Sequence, residues 1–208
     1  MVLKGKIALN LGSGLQIRAG YINVDKFYTE EQLRSKKGFF KQADIQKGGT
    51  FVQADILHLP FEDNYADHVE LSNCIEHFPL NNVINYVKEI HRVMKPGAKL
   101  YIMTNSMDGL ALDWLDLLAH PPFNPQTYND VAETIYGNQQ AEGEVHRCPF
   151  TPPFMDYVLT QAGFKSGTIS IAKKNTLISV IPKVFTSAGP IRKNAVCRND
   201  LLFVEATK

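Results

Sequence analysis

The chain has 208 residues, of which 44% are hydrophobic and 21% charged, and a formal net charge of +1. This is the balance of one globular domain with a single core, and it argues against a strongly basic nucleic-acid binder or an anionic-membrane binder. No stretch approaches the roughly 18 apolar residues of a membrane span, and the first residues hold no apolar run flanked by a cleavage site, so secretion is not expected. Cys74, Cys148 and Cys197 are odd in number and lack CxxC or Cys/His ligand spacing. The expectation is a cytoplasmic chain with reduced thiols, no membrane span, no nucleic-acid partner and no metal.

Ile7 to Leu11 is a short apolar run bounded by Gly12-Ser13-Gly14, as in a strand buried on both faces of a parallel sheet. The two glycines permit a sharp turn and a close approach of ligand to backbone. Tyr21 to Val24 reads as the next strand and ends on Asp25, where a carboxylate can accept hydrogen bonds from both hydroxyls of a ribose. A dinucleotide fingerprint would continue as GxGxxG into a helix, with its acid roughly 20 residues on. Here Asp25 follows Gly14 too soon for a crossover helix, and Leu15 to Ala19 can hold only a turn. No full helix N-terminus is offered to a pyrophosphate, so a nucleoside without phosphate is the better ligand.

Further along, Thr29 to Lys37 carries a capping residue, acids first and bases last, as a short helix does. Phe51 to Ile56 reads as a third strand, Leu59 to Asn64 as a turn, and Ala66 to Ser72 as a fourth strand. Leu80 to Met94 has helical apolar spacing, Lys95-Pro96-Gly97 stops it, and Lys99 to Thr104 supplies a fifth strand. Alternating strands and connections imply a Rossmann-like, doubly wound α/β fold, with the ligand crevice at the carboxyl ends of the strands. Gly12 to Gly14, Asp25, Asp55-Ile56 and Asn73 to His77 all fall at those ends.

Leu110 to Leu118 is expected to be helical, ended by Pro121-Pro122. Asn124 to Cys148 shows little periodicity, and residues 108–150 read as an acceptor-side lid within a single domain spanning 1–208. Thr151 to Ala162 is a helix closed by Gly163. Gly167 to Ala172 and Leu201 to Ala206 complete a mostly parallel, seven-stranded sheet with an antiparallel edge. Leu177 to Ile191 reads as core cover, with a homodimer contact as the alternative.

Leu9-Asn10-Leu11-Gly12-Ser13-Gly14, Ala54-Asp55 with Leu59-Pro60-Phe61, Ile75-Glu76-His77, and Arg92 to Ala98 together resemble a class I S-adenosylmethionine-dependent methyltransferase of the methyltransferase type 11 group. The resemblance covers residues 7–104. A weaker echo in His146 and Gly163-Phe164 is similar to a subset linked to surface-polysaccharide or sugar-nucleotide metabolism. The resemblance implies that Gly12, Ser13 and Gly14 lie against the methionine part of the cofactor and that Asp25 holds the ribose. It further implies that Asp55 accepts from the adenine amine beside the Ile56 backbone, and that Asn73 to His77 close the methionine side and face the acceptor. Two departures stand out: Asn10 replaces an aspartate common among relatives, and the link after Gly14 is short.

A sulfonium already carries an activated methyl, so the protein must chiefly align an acceptor and exclude water. A hydroxyl acceptor, such as that of a sugar, gains from a general base, and His146 is the first candidate because it precedes the acceptor-side helix. A surface or capping role is its structural alternative, as a turn-capping role is for Asp55. Three functions remain open: a methyltransferase acting on a small-molecule acceptor, a non-catalytic S-adenosylmethionine-binding protein, and a nicotinamide-dependent oxidoreductase.

Overall fold

A computed structural model describes residues 5–119, 125–139, 142–173 and 201–208. Among these residues the strands are β1 (Ala8–Leu11), β2 (Gln16–Ile17), β3 (Ile22–Asp25), β4 (Asp44–Ile45), β5 (Thr50–Gln53), β6 (Ala66–Ser72), β7 (Met94–Asn105), β8 (Ile169–Lys173) and β9 (Leu201–Thr207). The α-helices among the described residues are α1 (Glu30–Ser35), α2 (Val83–Val93), α3 (Met107–Ala119), α4 (Pro125–Tyr136) and α5 (Pro152–Ala162). The main sheet has seven strands in the order β5-β3-β1-β6-β7-β9-β8. All neighbours from β5 through β7 pair in parallel, whereas β9 runs antiparallel to both β7 and the edge strand β8. The chain reverses its winding at β1, which has β3 on one side and β6 on the other, and a ligand crevice opens at such a switch point.

The local causes are legible. β1 is buried along its whole length, so its side chains read as one apolar run rather than an alternation. Val83, Val87, Ile90 and Val93 recur on one face of α2 and share a core with Met155, Val158, Leu159 and Ala162 of α5. Full burial of such a side chain contributes roughly 1.5–3 kcal/mol. A smaller core of Ile17, Leu33 and Ala43 sits under α1, whose Thr29 and Gln32 form a reciprocal capping box.

Several boundaries differ from the sequence expectations. Leu15 to Ala19 holds more than a turn, because Gln16–Ile17 pairs with Asp44–Ile45 in a separate two-stranded sheet. The third expected strand stops at Gln53, and Asp55 instead opens a single 3-10 turn, Ile56–His58. α2 begins at Val83 rather than Leu80. Strand β7 begins at Met94, and its register against β6 shifts between Ala66 and His68 to absorb Lys95-Pro96-Gly97. The stretch 124–148 contains the twelve-residue α4, packed against α3, with its Thr134 carbonyl accepting from Asn105 at the end of β7. The expected cover segment Leu177 to Ile191, Pro121-Pro122 and Cys197 lie outside the described residues. Cys74 and Cys148 are buried free thiols. Among the described residues, no helix is long and apolar enough to cross a membrane.

Candidate active site at the carboxyl ends of the strands

The turn after β1 is shaped by Gly12, whose φ of +64° lies in the left-handed region; a Cβ there would stand 2.2 Å from the Cys74 sulfur. Glycine therefore lets the loop after β1 touch the loop after β6. Ser13 donates its amide to the Val24 carbonyl at 3.0 Å, and Gly14 donates its amide to Asp25 Oδ2 at 2.8 Å. The Phe27 amide holds Oδ1 at 2.8 Å. Burial pushes the Asp25 carboxyl above its usual range, and these amides pull it back. The Tyr28 amide acts on the same carboxylate, and the acceptor capacity that remains is open to a hydroxyl of a ligand.

Asn10 has a local explanation. Its Nδ2 donates to Asn23 Oδ1 at 2.9 Å, and Asn23 in turn donates to the carbonyls of Arg18, Tyr21 and Thr50. An aspartate at position 10 could not make that donation, so the asparagine fixes the shortened link to β3. Beside it lies a buried charged cluster: Arg18 pairs with Glu70, which also accepts from Tyr21 and contacts His68 Nε2 at 2.5 Å.

A cleft of about 190 Å³ crosses these strand ends. Of the residues expected at the cofactor, Gly12, Gly14, Asp25, Asp55, Ile56, Asn73 and His77 line it together. Ser13 is buried beneath the turn, and its hydroxyl has no hydrogen-bond partner among the described residues. Asp55 caps the 3-10 turn through the Leu57 amide at 3.0 Å and pairs with Lys26 at 3.0 Å, so its capping role is real. Partial burial opposes ionisation there, but the Leu57 amide and Lys26 outweigh it and hold the carboxyl below the usual range. Sequence reasoning missed Lys26 and Tyr86, and placed Gly143, Glu144, Val145 and Arg147 in an acceptor-side lid without assigning them to the wall of this cleft. Only proximity in space joins that wall to the cleft, and no local pattern encodes it.

A second cavity of about 280 Å³ adjoins, lined by Glu76, His146, Met107, Leu110, Tyr136 and Phe150 among others, and Arg147 borders both spaces. His146 is fixed by its amide to the Tyr136 carbonyl at 3.1 Å and by Nδ1 to the Thr134 carbonyl at 2.8 Å. Gly137, at φ +79°, makes this possible, since a Cβ there would fall 1.8 Å from the Glu144 carbonyl oxygen. His77 donates Nδ1 to the Val145 carbonyl at 3.0 Å, and the two imidazoles meet edge to face with centroids 4.9 Å apart. Thus His77 of the first space and His146 of the second form a seam between them. Glu76 lies buried beneath it, accepting from Thr104 at 2.8 Å through Oε2, while Oε1 has no hydrogen-bond partner among the described residues. Burial raises the Glu76 carboxyl above its usual range, and burial likewise pushes the Cys148 thiol up to about 12. The cavity thus offers no ready thiolate.

Residues 9–102 match a family described as a methyltransferase domain. Over 122 residues the chain is 36% identical to the 2-phytyl-1,4-naphtoquinone methyltransferase of Nostoc punctiforme, covering 59% of this chain and 45% of that protein. Over 110 residues it is 42% identical to an uncharacterised protein of Methanocaldococcus jannaschii, covering 51% of this chain and 44% of the other. The chain therefore spans less than half the length of these curated relatives. Among solved structures, a SAM-dependent methyltransferase from Archaeoglobus fulgidus superposes with a TM-score of 0.56 at 16% identity, covering 100% of this chain and 88% of that one. The 1,6-didemethyltoxoflavin-N1-methyltransferase of Burkholderia thailandensis, solved with that substrate and S-adenosylhomocysteine, gives 0.56 at 16% identity over 98% and 71% of the two chains. Residues 9–102 are thus similar to a methyltransferase domain, in a chain that shares its α/β fold with solved S-adenosylmethionine-dependent methyltransferases.

Proposed function

We propose that this chain transfers a methyl group from S-adenosylmethionine to a small-molecule acceptor held in the cavity beside His146. The observation that carries the reading is the adjacency of two spaces: a cleft with a ribose-type acid and an adenine-side acid, and a second cavity joined to it along the His77–His146 edge. In this reading Asp25 holds the ribose hydroxyls, and Asp55 with the Ile56 backbone holds the adenine. Gly12 and Gly14 admit the methionine part, Asn73 and His77 close it, and buried Ser13 supports the turn from below. S-Adenosylmethionine supplies the activated methyl; the protein aligns the acceptor and excludes water. His146, with Nδ1 spent on a carbonyl, presents Nε2 as the nitrogen that can take a proton from an acceptor hydroxyl. Residues 142–150 serve as the acceptor-side wall of the expected lid.

The second cavity is largely apolar around its polar Glu76–His146 end, which suits an acceptor with an apolar body and one reactive polar atom. The sequence-based lean toward a sugar hydroxyl gains no support from curated relatives, which are named for quinone and sterol acceptors. The oxidoreductase reading loses ground because the glycine turn leads into β2 and presents no helix N-terminus to a pyrophosphate.

Calorimetry with S-adenosylhomocysteine, followed by turnover with an acceptor panel, tests the reading. One binding site is expected, with His146→Ala retaining that affinity while losing rate. Absence of binding would refute the cofactor assignment, and binding without turnover on any acceptor would leave the non-catalytic reading in its place.

A further inference from the structure

We infer that Glu76, His77 and His146 form a binding site for one divalent transition-metal ion at the seam between the cleft and the second cavity. One ligand atom from each residue lies within 4.8 Å of the other two. Two imidazoles and a carboxylate are a donor set suited to zinc, ferrous iron or cobalt. Sequence spacing gave no hint of it, because His146 lies far along the chain from Glu76-His77 and is brought back only by the 142–148 segment. The Arg147 and Cys148 amides both donate to the Glu76 carbonyl, at 2.7 and 3.0 Å, and clamp that segment against the 3-10 turn Ile75–His77.

The surroundings of each ligand strengthen the assignment. Metal-bound histidines generally donate their second ring N–H to a carbonyl or carboxylate, which fixes tautomer and orientation. Here His77 Nδ1 is on the Val145 carbonyl and His146 Nδ1 on the Thr134 carbonyl. A carbonyl can only accept, so both Nδ1 atoms carry their protons, and Nε2 is the nitrogen that each neutral imidazole can offer to a metal. The carboxylate is oriented in the same manner: Thr104 holds Oε2, while Oε1 is buried with no hydrogen-bond partner among the described residues. A buried acceptor left unmatched costs about 1–3 kcal/mol, and a cation between the three groups removes that cost.

Around a tetrahedral ion with bonds of roughly 2.1 Å, ligand atoms stand about 3.4 Å apart. The three groups must therefore draw together from the spacing of this structure. Both histidines are half-buried, with room toward the two spaces they line. Such a site keeps a coordination position open toward the cavity, as hydrolytic and oxidative metal centres do. An ion there would lower the pKa of a hydroxyl bound in that position, in place of a proton being taken by the bare His146 nitrogen.

The test reads the metal alone and needs no methyl transfer. Tag-free protein is stripped with a chelator and titrated with Co²⁺. Visible d–d absorption is expected to saturate at one equivalent and to be displaced by Zn²⁺. Glu76→Gln and His146→Gln should each weaken Co²⁺ binding at least tenfold, and Thr104→Val, which frees the carboxylate's outer partner, by about 10-fold. Lack of a saturable Co²⁺ spectrum in the wild-type chain overturns the proposal, as does undiminished binding in either ligand variant with native circular dichroism. The wild-type titration decides the matter even if a variant fails to fold. S-Adenosylhomocysteine affinity, measured on the same samples, is a separate readout, so failure of the cofactor assignment and failure of the metal site are distinguishable.

Discussion

At the scale of single residues, Gly12 and Asp25 control the cleft in different ways. A side chain at Gly12 meets both a left-handed backbone and the Cys74 sulfur. The backbone alone costs an L-residue roughly 1–2 kcal/mol, and the collision adds to it. Gly12→Ala should lower the melting temperature by about 4–8 °C, from roughly 2 kcal/mol at 2–4 °C per kcal/mol for a chain of this size. Adding Cys74→Gly should recover part of the loss, because it relieves the collision and leaves the backbone term; no recovery would mean that the loops do not touch. Asp25→Asn keeps the shape but removes the charge that strengthens hydrogen bonds to hydroxyls. Since charge-assisted bonds contribute about 1.5–3 kcal/mol, S-adenosylhomocysteine affinity should fall about 10- to 100-fold by calorimetry, and an unchanged affinity would take Asp25 out of the cofactor site. That Gly12, Gly14 and Asp25 meet at one cleft could be read from sequence because turn chemistry and strand ends are local. Tyr86 and the Gly143–Arg147 wall could not, because their role arises from packing between distant segments.

At the scale of elements, legibility followed burial. β1, β6 and α2 bury long apolar runs and were readable from periodicity. α4 was read as irregular because it packs on another helix: among its described side chains only Val131 is fully buried, while Tyr128 and Tyr136 are exposed. The two-residue strands β2 and β4 are too short to show a period at all. α2 is tied to the preceding turn by Arg92, which donates to Glu89, Asp63 and the Leu59 and Phe61 carbonyls. Hydrogen bonding to Arg92 holds the Glu89 carboxyl below its usual range despite partial burial. A carboxyl depressed in the fold contributes stability above its unfolded pKa, and that contribution is lost as pH falls through the folded value. Stability of the wild-type chain should therefore decline as pH drops below about 4.5, and Glu89→Gln should flatten that decline in urea titrations. A parallel acid response in the two proteins would remove Glu89 from the account. On β6, Glu70 is fully buried with Arg18, Tyr21 and His68 around it. Removing one partner of a buried pair costs about 3–5 kcal/mol, so Glu70→Ala should shift the urea midpoint by that equivalent, and a loss near zero would show that Arg18 is not dependent on it.

At the scale of the molecule, the residues that close the sheet come last in the chain, and the ligand cleft sits in its other half. β9 is inserted between β7 and β8, and among the described residues β8 pairs with no other strand. Leu202, Val204 and Ala206 are buried in the same core that carries β1, β6 and α2. Lys208 completes the closure: its carbonyl accepts from the Gly97 amide at 2.8 Å, and its ammonium reaches the Met94 carbonyl at 2.7 Å and Asn64 at 3.0 Å. Sequence reading gave β8 and β9 as final strands, but their order could not be read, since an antiparallel insertion depends on which edge of β7 is left open. The arrangement makes a definite prediction. If the core is one cooperative unit, as small domains usually are, then deleting residues 201–208 uncovers β7, strands β8, and carries the distant cleft down with it. The truncated chain should lose its cooperative thermal transition by circular dichroism and bind no S-adenosylhomocysteine, although no deleted residue lines the cleft. A truncated chain that melts cooperatively and still binds would show instead that β1 to β7 with α2 form an independent cofactor-binding unit, to which β8 and β9 are an addition.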